Sequence, residues 1–277
     1  MKFSIFIFLS LLGTFSAGAQ ELYVWTEPAS NMPSKSIGIR LNQFYMPQYH
    51  NSESQIHRSG PMFRLNPELM WGINKNWMMH ANLYASNMHS TTFRPEGGGL
   101  YIKYRFLSLD EVHSHFRMAA YAKGSIINNP IEYNEINLAG DNSGFTGGIV
   151  VTQLLHKLAL SFTGGYIRGI NNTNDDYNSG QPRNSFNYSL SAGLLTLPIH
   201  YKNFKQPNLN LYAEFLGKYN PETKEQFLDL ATSVQVILAS RFRIDISYRR
   251  QLSGNMFRIN NQEFLLRLEY NIFSAYK

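Results

Sequence analysis

The stretch SRFRIDISYRRQL, residues 240–252, alternates almost without error. Phe242, Ile244, Ile246 and Tyr248 fall on one face of an extended chain, and Arg243, Asp245, Ser247 and Arg249 on the other. Side chains of a strand point to opposite faces with period two, so this pattern specifies a strand with one apolar and one charged face. A soluble sheet turns the apolar face to a core and the charged face to water. A membrane barrel does the reverse, apolar to lipid and polar to a lumen. A single strand cannot separate the two, but the number of such strands and their connections can.

The same alternation recurs in SIGIRLNQFYM, PMFRLNPELMWGI, WMMHANLYAS, GLYIKYRFL, FRMAAYAKGS, FNYSLSAGLLTL, LNLYAEFLGKY, LDLATSVQVIL and EFLLRLEYNIF. It is weaker in FTGGIVVTQL and LALSFTGGYI. A helical template, apolar at i, i+3 and i+4, fits none of them better. Pro67 interrupts one segment, because proline cannot donate to a ladder. The connections at 43–59, 87–96, 126–143, 169–184, 220–226 and 253–261 are long and rich in Asn, Ser, Gly, Asp and Pro. Those at 74–76, 155–156 and 239–240 are tight, while 108–115 and 198–207 depart from the alternation of long and short. Long loops on one side and short turns on the other belong to a transmembrane barrel, whereas Greek-key crossings have no reason to alternate. The expected fold is therefore all-β, a transmembrane antiparallel up-and-down β-barrel of about twelve strands occupying residues 34–277. The competing fold is a soluble secreted sandwich or lipocalin-like barrel.

The N-terminus supplies an address. Lys2, the apolar run 3–12 and the small-residue site Ala17-Gly18-Ala19 compose a signal peptide over residues 1–19, leaving Gln20 first in the mature chain. Residues 20–33 then form a periplasmic leader. Cysteine is absent, so no disulfide, zinc-thiolate cluster or thiol nucleophile is available. Charged residues make up only 16% of the chain and aromatics 14%, which suits a protein with much of its surface outside water. The net charge of +6 is spread along the chain without a basic run, so nucleic acid is not an expected partner.

With these features, the whole mature chain resembles the outer-membrane β-barrel proteins of Gram-negative bacteria. The terminal strand LRLEYNIF is similar to the barrel-assembly signal of that class, although the chain runs on through Ser274, Ala275, Tyr276 and Lys277. The stretch TEPASNMPSKS looks like the short periplasmic leader of its small members. The resemblance implies residence in the outer membrane, contact with its lipid and with the barrel-assembly machinery, and a porin-like or transporter-like role.

If the polar faces turn inward, Arg40, Arg64, Glu68, His80, Lys103, Arg105, Arg117, Lys123, Glu214, Lys218, Asp229, Arg243, Asp245, Arg249, Arg267 and Glu269 line the lumen. Basic residues outnumber acidic ones in that set. The expected function is a passive channel for small polar or anionic solutes, since rings of charge set selectivity. The alternative is a barrel closed by paired charges that acts as a scaffold through its loops. Two less favoured readings accompany these. Met46, Met62, Met70, Met78, Met79, Met88, His80 and His89 offer soft ligands for copper-related transport. His113-Ser114-His115 is a compact Ser/His group for a barrel hydrolase, without an obvious acid beside it. Asp175-Asp176 lacks the glycine spacing of a calcium loop, and Gly97-Gly98-Gly99 opens a strand rather than a phosphate-cradling helix. No catalytic, cofactor or metal site is assigned.

Overall fold

A computed structural model of the protein describes residues 23–47, 60–112, 114–199 and 206–276. The expected signal peptide lies outside the described residues, as do most of the first long loop and part of the 198–207 connection. Twelve strands follow in order: β1 (Ser36–Met46), β2 (Met62–Gly72), β3 (Trp77–Ser86), β4 (Arg94–Asp110), β5 (Ser114–Ile127), β6 (Ser143–Leu155), β7 (Leu158–Ile170), β8 (Asn184–Leu197), β9 (Asn208–Asn220), β10 (Glu225–Leu238), β11 (Phe242–Gly254) and β12 (Gln262–Ile272). Each pairs antiparallel with its sequence neighbours, and β1 pairs with β12 to close the barrel. No sheet edge remains, which is what lets a sheet sit in lipid. Among the described residues no helix is long and apolar enough to cross a membrane.

Burial settles which face goes where. In β11, Ile246 is 61% exposed while its neighbour Asp245 is wholly buried. The same holds round the barrel: Ile39, Leu83, Leu100, Phe162, Leu190 and Phe215 are exposed, and Arg40, Glu68, Lys103, Glu214 and Glu269 are buried. The alternating faces thus lie apolar outward and polar inward. Outward aromatics cluster towards the strand ends. Tyr45, Phe63, Phe264 and Tyr248 form one such group and Tyr166 with Phe186 another, while Trp77 packs on Tyr104 at the opposite end. These groups are placed as interfacial girdles would be.

Local sequence explains the irregularities. Pro67 faces outward, and β2 keeps an unbroken register with β1 through Leu41 opposite Pro67. The β2–β3 ladder is interrupted at Asn66 and Pro67, where the proline has no N–H to give. Gly97 has φ +149°, and a Cβ there would lie 2.1 Å from the Ile126 carbonyl oxygen, so only glycine fits where β4 bulges against β3.

Three expectations are corrected. The connection at 108–115 is short, because β4 runs to Asp110 and β5 starts at Ser114. The connection at 220–226 is a tight turn between β9 and β10, with Lys224 at φ +58° donating to the Asn220 carbonyl at 2.9 Å. The leader expected in the periplasm lies inside the barrel from Tyr23 to Met32, and Pro33 is exposed. Its apolar start explains the placement: Tyr23 and Val24 are buried against Leu154, Ala159, Tyr212 and Leu265 of the inner wall.

The outward face makes a direct prediction. Leu190 sits near the middle of β8, 55% exposed, flanked by Phe162 and Phe215. Leu190→Arg should destabilise the barrel by ~2–4 kcal/mol when unfolding by guanidinium is followed in phospholipid vesicles, as charge at the bilayer midplane does. An unchanged midpoint would mean that this face does not meet lipid.

Candidate functional site

The barrel interior is organised by an alternating row of charge. Register places Arg243 opposite Glu269, Glu269 opposite Arg40, and Arg40 opposite Glu68 across β11, β12, β1 and β2. Arg40 Nε donates to Glu269 Oε2 at 2.8 Å, and its Nη1 donates to Glu68 Oε2 at 3.2 Å. Arg243 is forked onto Asp245 with a shortest contact of 2.6 Å, and Arg267 Nε donates to Asn42 Oδ1 at 2.6 Å. Cross-strand neighbours of opposite charge attract, and burial makes each member depend on the others.

The N-terminal segment closes the end of the barrel at which the chain enters β1 and leaves β12. Glu214, wholly buried on β9, accepts the N–H groups of Val24, Trp25 and Thr26 at 3.0, 2.9 and 3.1 Å. Three successive amides on one carboxylate make a backbone cradle for an anion, with the anion supplied by the wall. Trp25 Nε1 donates to Ser247, Glu27 accepts from Arg40, and Ala29 N donates to Thr152. Lys103 on β4 is wholly buried and donates to the carbonyls of Pro28 and Ser30 at 2.5 and 2.8 Å. The segment therefore crosses the interior and touches strands on both sides.

The loop of residues 128–142, between β5 and β6, folds into the other end. Glu135 accepts from Lys218 at 2.8 Å and from Arg258 at 2.7 Å. Burial would raise its carboxyl, but Arg258, Lys218 and Arg249 hold it down at about 2. Arg258 also pairs with Asp229 and covers the Phe227 ring at 3.5 Å. Asp141 pairs with Arg64 and accepts from His89 Nε2 at 2.8 Å, and burial is likewise overcome there, so its carboxyl lies well below the usual range. His89, in the loop between β3 and β4, reaches Glu132 through Nδ1 at 3.2 Å. Burial would lower the His89 imidazolium, yet the hydrogen bonds to Asp141 and Glu132 raise its pKa above the usual value.

Between the two closures lies a chamber of about 390 Å³. Trp25, Thr26 and Glu27 line it from below, and Glu135, Asn137 and Ala139 from above. The wall carries Arg40, Glu68, His80, Lys123, Lys218, Arg249 and Arg267, with a run of asparagines and tyrosines between them.

The residues expected in the lumen are distributed unevenly. Those seven line the chamber, whereas Lys103, Glu214, Arg243, Asp245 and Glu269 are engaged around the N-terminal segment. Asp229 pairs with Arg249 and Arg258, and Arg64 with Asp141 and Glu96, towards the loop end. Arg105 and Arg117 act at the turns: Arg105 donates to the Lys75 carbonyl, and Arg117 bridges Asp110 and Ser30. Glu27, Glu96, Glu135, Asp141 and Glu263 were missed by strand reading and bring the interior close to charge balance. Glu263 stood in phase with Arg267 on β12 and was legible, but the two loop acids had no periodicity to reveal them. Six of the methionines form two buried groups, Met32 with Met70 and Met78, and Met46 with Met62 and Met88; Met79 is half-buried on the outward face of β3, and His80 turns Nδ1 to Glu68 at 2.6 Å. His113 lies outside the described residues; His115 does have an acid beside it, Asp110 at 2.7 Å, but the Ser114 hydroxyl accepts from Gln153. Asp175 accepts from the Ile131 amide and so braces the loops.

No family model matches the chain, and no curated protein matches it significantly. Solved structures do. An outer membrane channel from Pseudomonas putida F1 aligns with a TM-score of 0.54 at 13% identity, over 90% of this chain and 100% of that one. The KdgM porin aligns at 0.43 and 8% identity over 85% and 98%, and Pseudomonas aeruginosa OprD at 0.37 and 11% over 84% and 66%. The likeness is one of fold: the chain has the architecture of the outer-membrane barrels of Gram-negative bacteria.

The raised pKa of His89 gives a pH dependence with a definite sign. A group whose folded pKa exceeds its unfolded value stabilises fully below the unfolded value, near 6.5, and loses that contribution as pH rises through the folded one. Proteolysis of the 128–142 loop should therefore accelerate between mildly acidic and alkaline pH. His89→Gln should flatten that profile by losing the protection at low pH. Equal cleavage rates at both pH values in the unmodified protein would show that the His89 bridge does not hold the loop.

Proposed function

We propose that the protein is a passive outer-membrane channel for small polar solutes, with its N-terminal segment as the barrier at the periplasmic end. The observation that carries this reading is the polar chamber on the barrel axis, closed below by a segment that is held by side chains and belongs to no strand ladder. Such a segment can leave without breaking the barrel. The shared fold with an outer membrane channel supports the reading. Near-balanced interior charge favours polar solutes with at most a weak preference for anions, weaker than the strand faces alone suggest. The dense ion pairing favours the competing reading, a closed barrel that works through its loops.

A cysteine pair separates the two in a chain that has no cysteine of its own. Thr26 Oγ1 and Ser191 Oγ lie 2.9 Å apart, so thiols placed there are within reach of a disulfide. In planar bilayers the oxidised Thr26→Cys/Ser191→Cys protein should conduct little, and a reductant should raise its conductance several-fold. Equal conductance in both states would remove the segment as the barrier. Silence in both states, and in the unmodified protein, would favour the closed scaffold.

A further inference from the structure

The chamber has a second organisation beside its charges. His80, Tyr101 and Tyr121 form an aromatic row across β3, β4 and β5. The His80 and Tyr101 ring centres are 5.0 Å apart, and Tyr101 stacks on Tyr121 at 5.9 Å and 26°. The row continues towards β8, where Asn187 Nδ2 donates to the Tyr121 hydroxyl at 3.3 Å. Glycine makes this possible: a Cβ on Gly165 would lie 2.3 Å from the Tyr121 hydroxyl, and one on Gly148 would lie 2.9 Å from the ring.

Polar atoms without partners flank the row on both sides. On β2 and β3 these are Asn66 Oδ1, His80 Nε2 and the Tyr84 hydroxyl. On β7 and β8 they are the hydroxyls of Thr163 and Ser189, which face one another in register, and Asn187 Oδ1. All six residues line the chamber, and five of them are more than nine-tenths buried. A buried polar group takes a hydrogen-bond partner, and in a polar cavity that partner is water or a ligand, so a concentration of such groups here suits a ligand with many hydroxyls that takes the place of water. Lys123 adds a donor, its Nζ 5.6 Å from the Tyr84 ring centre.

We propose that this chamber binds a sugar of one or two rings. The aromatic surface that the row gives the chamber suits the C–H groups of a pyranose, and the flanking amide and hydroxyl oxygens suit its equatorial hydroxyls, each of which can both donate and accept. The alternatives fit less well. An inorganic anion leaves the ring faces unused, and an apolar solute leaves the polar atoms unpaired. A volume of about 390 Å³ falls in the range of small-molecule sites, ~300–1,000 Å³. The channel reading says what such a site is for, as a station on the path of the solute, but binding itself is measured without a current.

The experiment is calorimetric titration of the full chain in detergent with glucose, maltose, cellobiose and glucuronate, each raised to tens of millimolar. At least one should bind. Tyr101→Ala should weaken that binding about tenfold, the cost of losing a stacked ring, while Tyr101→Phe stays close to the unmodified protein. Folding of each variant is checked by heat-modifiable mobility on gels, and where Tyr101→Ala fails to fold, Ser189→Ala should weaken binding several-fold instead. Absence of heat across the panel overturns the site, as does unchanged binding in folded Tyr101→Ala, or in Ser189→Ala where that variant stands in. A protein that binds a sugar and passes no current keeps the site and loses the channel; a conducting protein that binds none does the opposite.

Discussion

The alternating charge row from Arg243 through Glu269 and Arg40 to Glu68 is the interaction on which the rest of the interior depends. It sits on the seam where β12 meets β1, so it joins the two ends of the chain. Closing a barrel brings together residues that are 229 positions apart, such as Arg40 and Glu269. Loop-closure entropy opposes that pairing, and hydrogen bonding between backbones does not choose among registers. A register slip of one residue would turn Arg40 to lipid and Ile39 to the interior. Buried charges that lose a partner cost ~3–5 kcal/mol each, so the row penalises every slipped closure.

The same logic explains why the N-terminal segment belongs inside. Glu214 and Lys103 have no oppositely charged residue directly opposite them in register; Glu214 faces Ser191 and Ala231, and Lys103 faces Met78 and Tyr121. Each would be costly in a wall without a partner. Ser191 on β8 donates to Glu214, and the segment adds the rest: three amides and the Thr26 hydroxyl to Glu214 and two carbonyls to Lys103. Backbone groups of the segment thus take up much of the charge of both side chains. Such bonds are numerous but individually modest, about 0.5–1.5 kcal/mol for neutral pairs and more to a charge. A closure made of them is stable as a set, and it can still be released one contact at a time.

Orientation of the strands was legible in the sequence because lipid and lumen impose period two over many residues, as in the run from Phe242 to Arg249. Partnership was not legible, because it depends on register between distant strands. Tyr101 and Tyr121 illustrate the limit: alternation puts both on inner faces, but their stacking follows from the offset between β4 and β5. The loop acids Glu135 and Asp141 carried no pattern at all, and they change the charge balance enough to alter the expected selectivity. The segment Tyr23-Val24-Trp25 did carry a signal. Three large apolar residues in succession are out of place in a solvated leader and mark a segment that packs against something.

Charge and aromatic rings divide the chamber between them, and the division has a physical reason. Charged groups in the interior are drawn to one another and to the closing segments, because an unpaired charge there is the most expensive state available. Neutral polar groups are cheaper to leave without a protein partner, by a margin that a ligand of the proposed kind would recover. A wall meant to hold its shape would therefore use Arg40, Glu68 and Glu269, while a wall meant to exchange partners would use Asn66, Thr163, Asn187 and Ser189. The barrel has both kinds. The first runs along the β11 to β2 side, and the second lies mainly on β7 and β8, with Asn66 and His80 marking where the two meet at β2 and β3.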